Sequence, residues 1–350
     1  MIRATYRKYQ FHFINPGVTS RGVMEERISW FVIVHDTNNP AIMGIGECAP
    51  LPGLSRDDMN GIERKLDWVC SHIHTEEILQ PTNFSDYPSI LFGIETALHD
   101  LTNGGTRLIF KNSFYSQSRG IPINGLIWMG TIENMFKAVQ SKINNGFTCI
   151  KIKISSGGIE QELNLIREVR RLYGPDLEIR VDANGAFDYD SCMPVLEKLA
   201  ALKIHSIEQP IPSNAYESMA EICKISPVPV ALDEDIIQWP AIRDKIELFE
   251  MIHPPFIVLK PGLIGGFTET EQWIKLAEAY HTKWWITSAL ESSIGLNAIA
   301  QFSNQWSFST VQGLGTGQIY SNNIPSPLFV SNGYLYYNSQ ADWDLKILTE

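Results

Sequence analysis

Paired cysteines, a long apolar run and a basic surplus are all missing from this 350-residue chain. Its five cysteines, Cys48, Cys70, Cys149, Cys192 and Cys223, are odd in number and form no CxxC pair, which speaks against a disulfide framework or a zinc ribbon. No hydrophobic stretch reaches the length of a membrane span, and the opening Met-Ile-Arg-Ala-Thr-Tyr has no signal-peptide character, so the expected location is the cytoplasm. Lys and Arg number 28 against 39 Asp and Glu, a net charge of −11, which disfavours nucleic acid as a partner. It does not exclude a small anionic substrate, because a metal ion and a few lysines make one cleft positive inside an acidic protein.

What is present is the composition of an ordinary globular protein, 44% hydrophobic and 19% charged, long enough for a barrel-sized domain and a smaller one. Residues 26–35 and 41–48 are rich in strand formers. Met59, Ile62, Leu66 and Val69, then Ile90, Ile94, Leu98 and Leu101, repeat at helical spacing. A polar, Gly-rich stretch near 102–120 marks a boundary. Beyond it, short apolar runs begin near Ile121, Thr148, Glu178, Ile204, Val228, Phe256, Trp284 and Thr310, with helical periodicity between them. Eight near-equal repeats predict a closed parallel α/β barrel rather than an open doubly wound sheet. The expected division is a capping α+β unit over 1–115, completed by 325–350, and a barrel over 120–320.

Residues at the C-terminal ends of barrel strands line the active site of such folds. Here Lys151 and Lys153, Asp182, Glu208, Asp233 and Lys260 stand at the ends of successive predicted strands, spaced from Lys153 by 29, 26, 25 and 27 residues. Three carboxylates crowded at one mouth require a cation. Asp182, Glu208 and Asp233 offer hard oxygens suited to Mg²⁺, with Mn²⁺ as a substitute; zinc is disfavoured because no His or Cys joins them. A desolvated lysine can act as a base near neutrality. The bland alternative is that these residues are salt bridges stapling strand ends. A Schiff-base role for Lys260 leaves the carboxylates unexplained.

The series Lys-x-Lys, Asp, Glu, Asp, Lys on consecutive strands resembles the enolase superfamily, in its muconate-lactonising branch, over essentially the whole chain. That resemblance implies a modified TIM barrel, (β/α)₇β, under an N-terminal α+β cap. It also implies Mg²⁺ on Asp182, Glu208 and Asp233, Lys153 as base supported by Lys151, Lys260 facing it, and Asn184 beside the first ligand. The lysine-and-Mg²⁺ chemistry is the general one of that superfamily. Gly46–Ser55, Thr287–Gly295 and Gly313–Gly317 resemble the o-succinylbenzoate synthase group, which implies dehydration of a cyclohexadiene carboxylate. N-acylamino acid racemases and dipeptide epimerases are the alternatives; epimerases carry an Asp-x-Asp pair where this chain has Gly315-Thr316-Gly317.

Substrate contacts are expected from the loops around Ser20, Arg21 and Leu54, and from Ser288 and Gly315. Arg21 is either the partner of a distal carboxylate or a solvated charge. Gly44–Ala49 reads as a turn rather than a dinucleotide loop, Gly313–Gly317 as a carboxylate cradle or close packing, and the tryptophans, Trp128 among them, as core.

Overall fold

The computed structural model describes residues 1–19, 22–116, 119–307 and 310–349. Three antiparallel strands, β1 (Ile2–Thr19), β2 (Gly22–Asp36) and β3 (Asn39–Cys48), form the N-terminal sheet in the order β1-β2-β3. The run Trp30-Phe31-Val32-Ile33-Val34 does not alternate with polar residues because the sheet is covered on both faces. Trp30, Val32 and Val34 pack on the helices Ile62–His72 and Pro88–Thr102, whereas Phe31 and Ile33 join Phe11, Ile45, Tyr320 and Leu348. The strand β1 carries no strong apolar alternation, and its pairing with β2 is what defines it.

Gly44 and Gly46 lie inside β3, within the strand expected over 41–48 and not in the turn expected over Gly44–Ala49. A Cβ on Gly44 would stand 1.9 Å from the Ala97 carbonyl oxygen, and one on Gly46 1.8 Å from that of Gly93. These glycines therefore let the helix Pro88–Thr102 lie directly on the strand.

The short β4 (Ile121–Pro122) precedes seven parallel strands in the order of the chain. They are β5 (Gly125–Ile127), β6 (Cys149–Lys153), β7 (Glu178–Asp182), β8 (Ser206–Glu208), β9 (Val230–Leu232), β10 (Phe256–Leu259) and β11 (Lys283–Ile286). A helical segment follows each. The eighth predicted strand is reduced to two parallel bridges, Ile123 to Gln312 and Thr287 to Gly313, which join the two edges of the curled sheet. The architecture is thus a modified (β/α)₇β barrel with an α+β cap. The hairpin β12 (Leu328–Ser331) and β13 (Tyr334–Tyr337) pairs with β4, while Trp343, Leu345 and Leu348 sit with the cap sheet.

Inside the barrel, strand alternation stacks the chemistry in layers. Lower down, Arg180 lies 4.4 Å over the Trp285 ring and pairs with Glu178 at 2.7 Å, beside Ala231, Phe256 and Val258. The next inward positions toward the C-terminal ends include Asp182, Glu208 and Lys260, one alternation above Arg180, Ser206 and Val258.

Two buried carboxylates of the cap dock it onto the barrel at helix N-termini, where free N–H groups and the helix dipole favour negative charge. Glu47 accepts from Ser292 N and Gly295 N, both at 3.0 Å, and from Ser292 Oγ at 2.6 Å. Glu95 accepts from Phe267 N and, at 2.7 Å, from Thr268 Oγ1. Burial pushes the Glu95 carboxyl up to about 7, against the pull of those hydrogen bonds.

A folded-state value above the unfolded one means that this group's stabilising contribution is complete below about pH 4.5 and is lost as pH rises through about 7. Wild type should therefore lose on the order of 3 kcal/mol relative to Glu95→Gln across that window. Denaturation midpoints of both proteins from pH 4.5 to 8 check this; parallel curves would show that Glu95 does not titrate there.

Candidate active site

Lys151 and Lys153 project to the same side because they are two residues apart on β6, while Ile150 and Ile152 face the surrounding helices. The register then delivers the carboxylates: Lys153 pairs with Asp182 and Asp182 with Glu208, strand to strand. Asp233 follows β9 directly, and Lys260 follows β10. All six side chains are buried.

The three lysines interdigitate with the three carboxylates. Lys151 Nζ lies 2.7 Å from Asp182 Oδ2 and 2.6 Å from Glu208 Oε2. Lys153 Nζ donates to Asp182 Oδ2 at 2.6 Å and to Asn184 Oδ1 at 2.7 Å. Lys260 donates to Asp233 Oδ2. Asn184, with φ of 47°, turns back so that its N–H reaches Asp182 Oδ1 at 3.1 Å and its Nδ2 reaches Glu234 at 3.0 Å.

The charges are unequal in their settings. Burial draws Lys153 below the ordinary lysine value. Burial acts on Lys151 and Lys260 too, yet the carboxylates beside them, Asp182 and Glu208 for one and Asp233 for the other, raise both. Asp182 and Asp233 are held down by their lysines in spite of burial, whereas burial and the charge of Asp182 push Glu208 up.

Among the described residues no three carboxylate, His or Cys groups converge as a ready-made metal cage, because lysine ammonium groups lie between them. The donor set nonetheless fits a hard cation. It consists of carboxylate oxygens without nitrogen or sulfur, and Asp233 Oδ1 is buried with no hydrogen-bond partner.

The lysines open onto a cavity of about 460 Å³ between barrel and cap. Lys153 and Lys260 enter it from strands separated by β7, β8 and β9, so they face it from two sides. Leu54, Ser288 and Gly315, expected as contacts, all line it. Ser20 and Arg21 lie outside the described residues; their neighbours Thr19 and Gly22 reach the cavity rim. Trp128 is wall rather than core, and with Asn124, Leu290 and Thr316 it was not among the expected contacts. The glycines of Gly313–Gly317 serve close packing: a Cβ on Gly313 would stand 2.3 Å from Thr287 Oγ1, and one on Gly315 2.8 Å from Asn124 O. No Asp or Glu is among the described residues that line the cavity.

One wall joins both domains. Leu290 is a non-glycine residue at φ of 66°, a strained conformation. Tyr320 Oη donates to its carbonyl at 2.6 Å, and Arg27 of β2 donates to the carbonyls of Ala289 and Ala49. The buried Glu291 accepts from Ala289 N at 2.6 Å. Arg27 thereby ties the cap loop before Leu51 to the barrel loop before Leu290. Arg27→Met leaves two buried carbonyls without their donor and removes the nearby positive charge that favours the ionised Glu291, and should cost about 3 kcal/mol in a urea unfolding measurement; a loss below about 0.5 kcal/mol would mean that the clamp carries no load.

The chain matches an enolase C-terminal domain-like family over residues 134–340 and a MenC N-terminal domain over residues 1–101. It is 38% identical to the o-succinylbenzoate synthase of Desulfotalea psychrophila, an alignment covering 95% of this chain and 98% of that protein. The crystal structure of MenC from Desulfotalea psychrophila superposes with a TM-score of 0.84 at 35% identity, covering 96% and 99% of the two chains. The dipeptide epimerase of Enterococcus faecalis, solved with Mg and the dipeptide L-Leu-L-Tyr, shares the fold with a TM-score of 0.82 at 18% identity, covering 97% of each chain.

Proposed function

Because this chain belongs to the enolase superfamily, we propose that it is a Mg²⁺-dependent lyase of the o-succinylbenzoate synthase type. The reaction is the syn loss of water from 2-succinyl-6-hydroxy-2,4-cyclohexadiene-1-carboxylate, a step of menaquinone biosynthesis. A cytoplasmic location is part of the same proposal; no helix among the described residues is long and apolar enough to cross a membrane.

The observation that carries this reading is the lining of the cavity: three lysines and no carboxylate among its described residues. Such a wall offers, among its described residues, no partner for the ammonium of a dipeptide, while its lysines are themselves paired with Asp182, Glu208 and Asp233 just behind the surface. Asp182, Glu208 and Asp233 would hold Mg²⁺, which supplies positive charge to the substrate carboxylate next to the reacting carbon. Lys153 Nζ, fixed by Asp182 and Asn184, takes the ring proton α to that carboxylate. The same ammonium returns the proton to the departing hydroxide on the same ring face, so water leaves and the ring becomes aromatic. Lys260 stays charged on the opposite side, a cation toward the π-face. Lys151 balances Asp182 and Glu208 beneath.

Racemisation of an N-acylamino acid is the second reading, favoured by the presence of a lysine on each side of the cavity. It requires both lysines to exchange protons, whereas dehydration requires only Lys153 to do so.

Lys153→Ala should lower kcat by at least about 10³, and Lys153→Arg should not rescue it, since guanidinium does not deprotonate near neutrality. Substantial turnover by Lys153→Arg would refute the base assignment. Exhaustive chelation should abolish activity and Mg²⁺ restore it. Steady-state assays should favour the cyclohexadiene substrate over N-acylamino acids by at least about 10³ in kcat/KM, roughly 4 kcal/mol at the transition state. A ratio near one, with deuterium entering both enantiomers in D₂O, would establish the racemase instead.

A further inference from the structure

Glu208 and Asp233 end neighbouring strands, carry like charge and are both buried, so something must hold their strand ends at a set separation. The residue after Glu208 is Gln209, fully buried, with φ of 39°, a conformation uncommon for a side chain of its size. Its backbone N–H bonds to Ala231 O at 2.9 Å. Its amide uses all four of its hydrogen-bonding capacities. Oε1 accepts from the backbone N–H groups of Asp233 and Asp235, both at 3.2 Å. Nε2 donates to Ile211 O at 3.0 Å and to Asp235 Oδ2 at 2.8 Å. Asp235 Oδ1 in turn accepts from Asn214 N at 3.0 Å.

Only one orientation of the amide satisfies these partners, because two N–H donors face the oxygen and two acceptors face the nitrogen. The side chain after one carboxylate is thus bonded to the backbone nitrogen of the other. It also grips, through Asp235, the loop beyond. Neither Gln209 nor Asp235 lines the cavity, so neither is placed to touch substrate.

We propose that the Gln209–Asp235 pair is the positioning device for Mg²⁺ at this site, setting the separation of Glu208 and Asp233 from behind. The inference rests on the reading that Asp182, Glu208 and Asp233 hold the metal. Groups of this kind, which orient ligands without touching the ion, change metal affinity about 10–100-fold when lost.

The test is calorimetric titration of Mg²⁺ into the purified, metal-stripped, substrate-free protein, with thermal midpoint and steady-state kinetics in parallel. Gln209→Glu places an oxygen against Asp235 Oδ2 and Ile211 O. Asp235→Asn, a single-atom change, places an N–H₂ group against either Gln209 Nε2 or Asn214 N. Each should weaken Mg²⁺ binding about 10–100-fold. The reversed pair Gln209→Glu/Asp235→Asn restores every contact except that to Ile211, and should regain at least about tenfold over the weaker single variant. Singles that bind Mg²⁺ within about threefold of wild type, or a reversed pair no better than its worse parent, would overturn the proposal. If Gln209→Glu does not fold, Asp235→Asn decides alone by the same criterion. Failure of wild type itself to bind Mg²⁺ would instead overturn the metal assignment on which the proposal stands.

Discussion

Three carboxylates buried side by side at the ends of neighbouring strands cannot remain in a dry barrel mouth without positive charge among them. Asp182, Glu208 and Asp233 meet that constraint with Lys151, Lys153 and Lys260, whose ammonium groups lie within hydrogen-bonding reach of their oxygens. Much of the surrounding design follows from it. The lysines must come from strands on either side of the acidic ones, which places two of them across a cavity from each other. Residues under this layer must be sealed from water, and Arg180 stacked on Trp285 with Phe256 nearby does so. The inter-strand register must be exact to one residue, since a slip would turn every acid and base outward.

The cavity is shared property. Its floor belongs to the barrel and part of its wall to the cap, so the relative placement of the two units decides its shape. Their contact is not a loose polar surface. Glu47 and Glu95 bond helix N-termini of the barrel, and Arg27 reaches carbonyls on both sides of the seam. Burying acids in this way costs free energy, as the raised Glu95 shows, and N–H groups that would otherwise lack partners compensate in part. The strained Leu290 sits where this seam meets the cavity, held by Tyr320.

The charged ladder was legible in the chain because a barrel repeats, and each repeat exposes the same strand end. Lys153, Asp182, Glu208, Asp233 and Lys260 fell on one period, and the fold supplied by that period brings them together. Leu54, Ser288 and Gly315 were legible by resemblance of short segments. Trp128 was not, because an aromatic residue beside a strand has the same sequence signature whether it faces core or cavity. The strand over 41–48 is legible, but the reason for Gly44 and Gly46 in it is not, since the helix residues that require them, Ala97 and Gly93, lie far along the chain. The strand β1 has no strand signature of its own, because what defines it is its pairing with β2.

The sequence by itself determined the fold class, the order of the acids and bases along the strands, and the sign of charge that each contributes. Alternation and repeat length are local properties, and local properties can be read along a chain. Only the tertiary structure decided which lysine reaches which carboxylate, how Gln209 spans from β8 to the residues after β9, and which side chains wall the cavity. Those depend on distances between segments far apart in the chain, set by how the helices and the cap pack around the closed sheet.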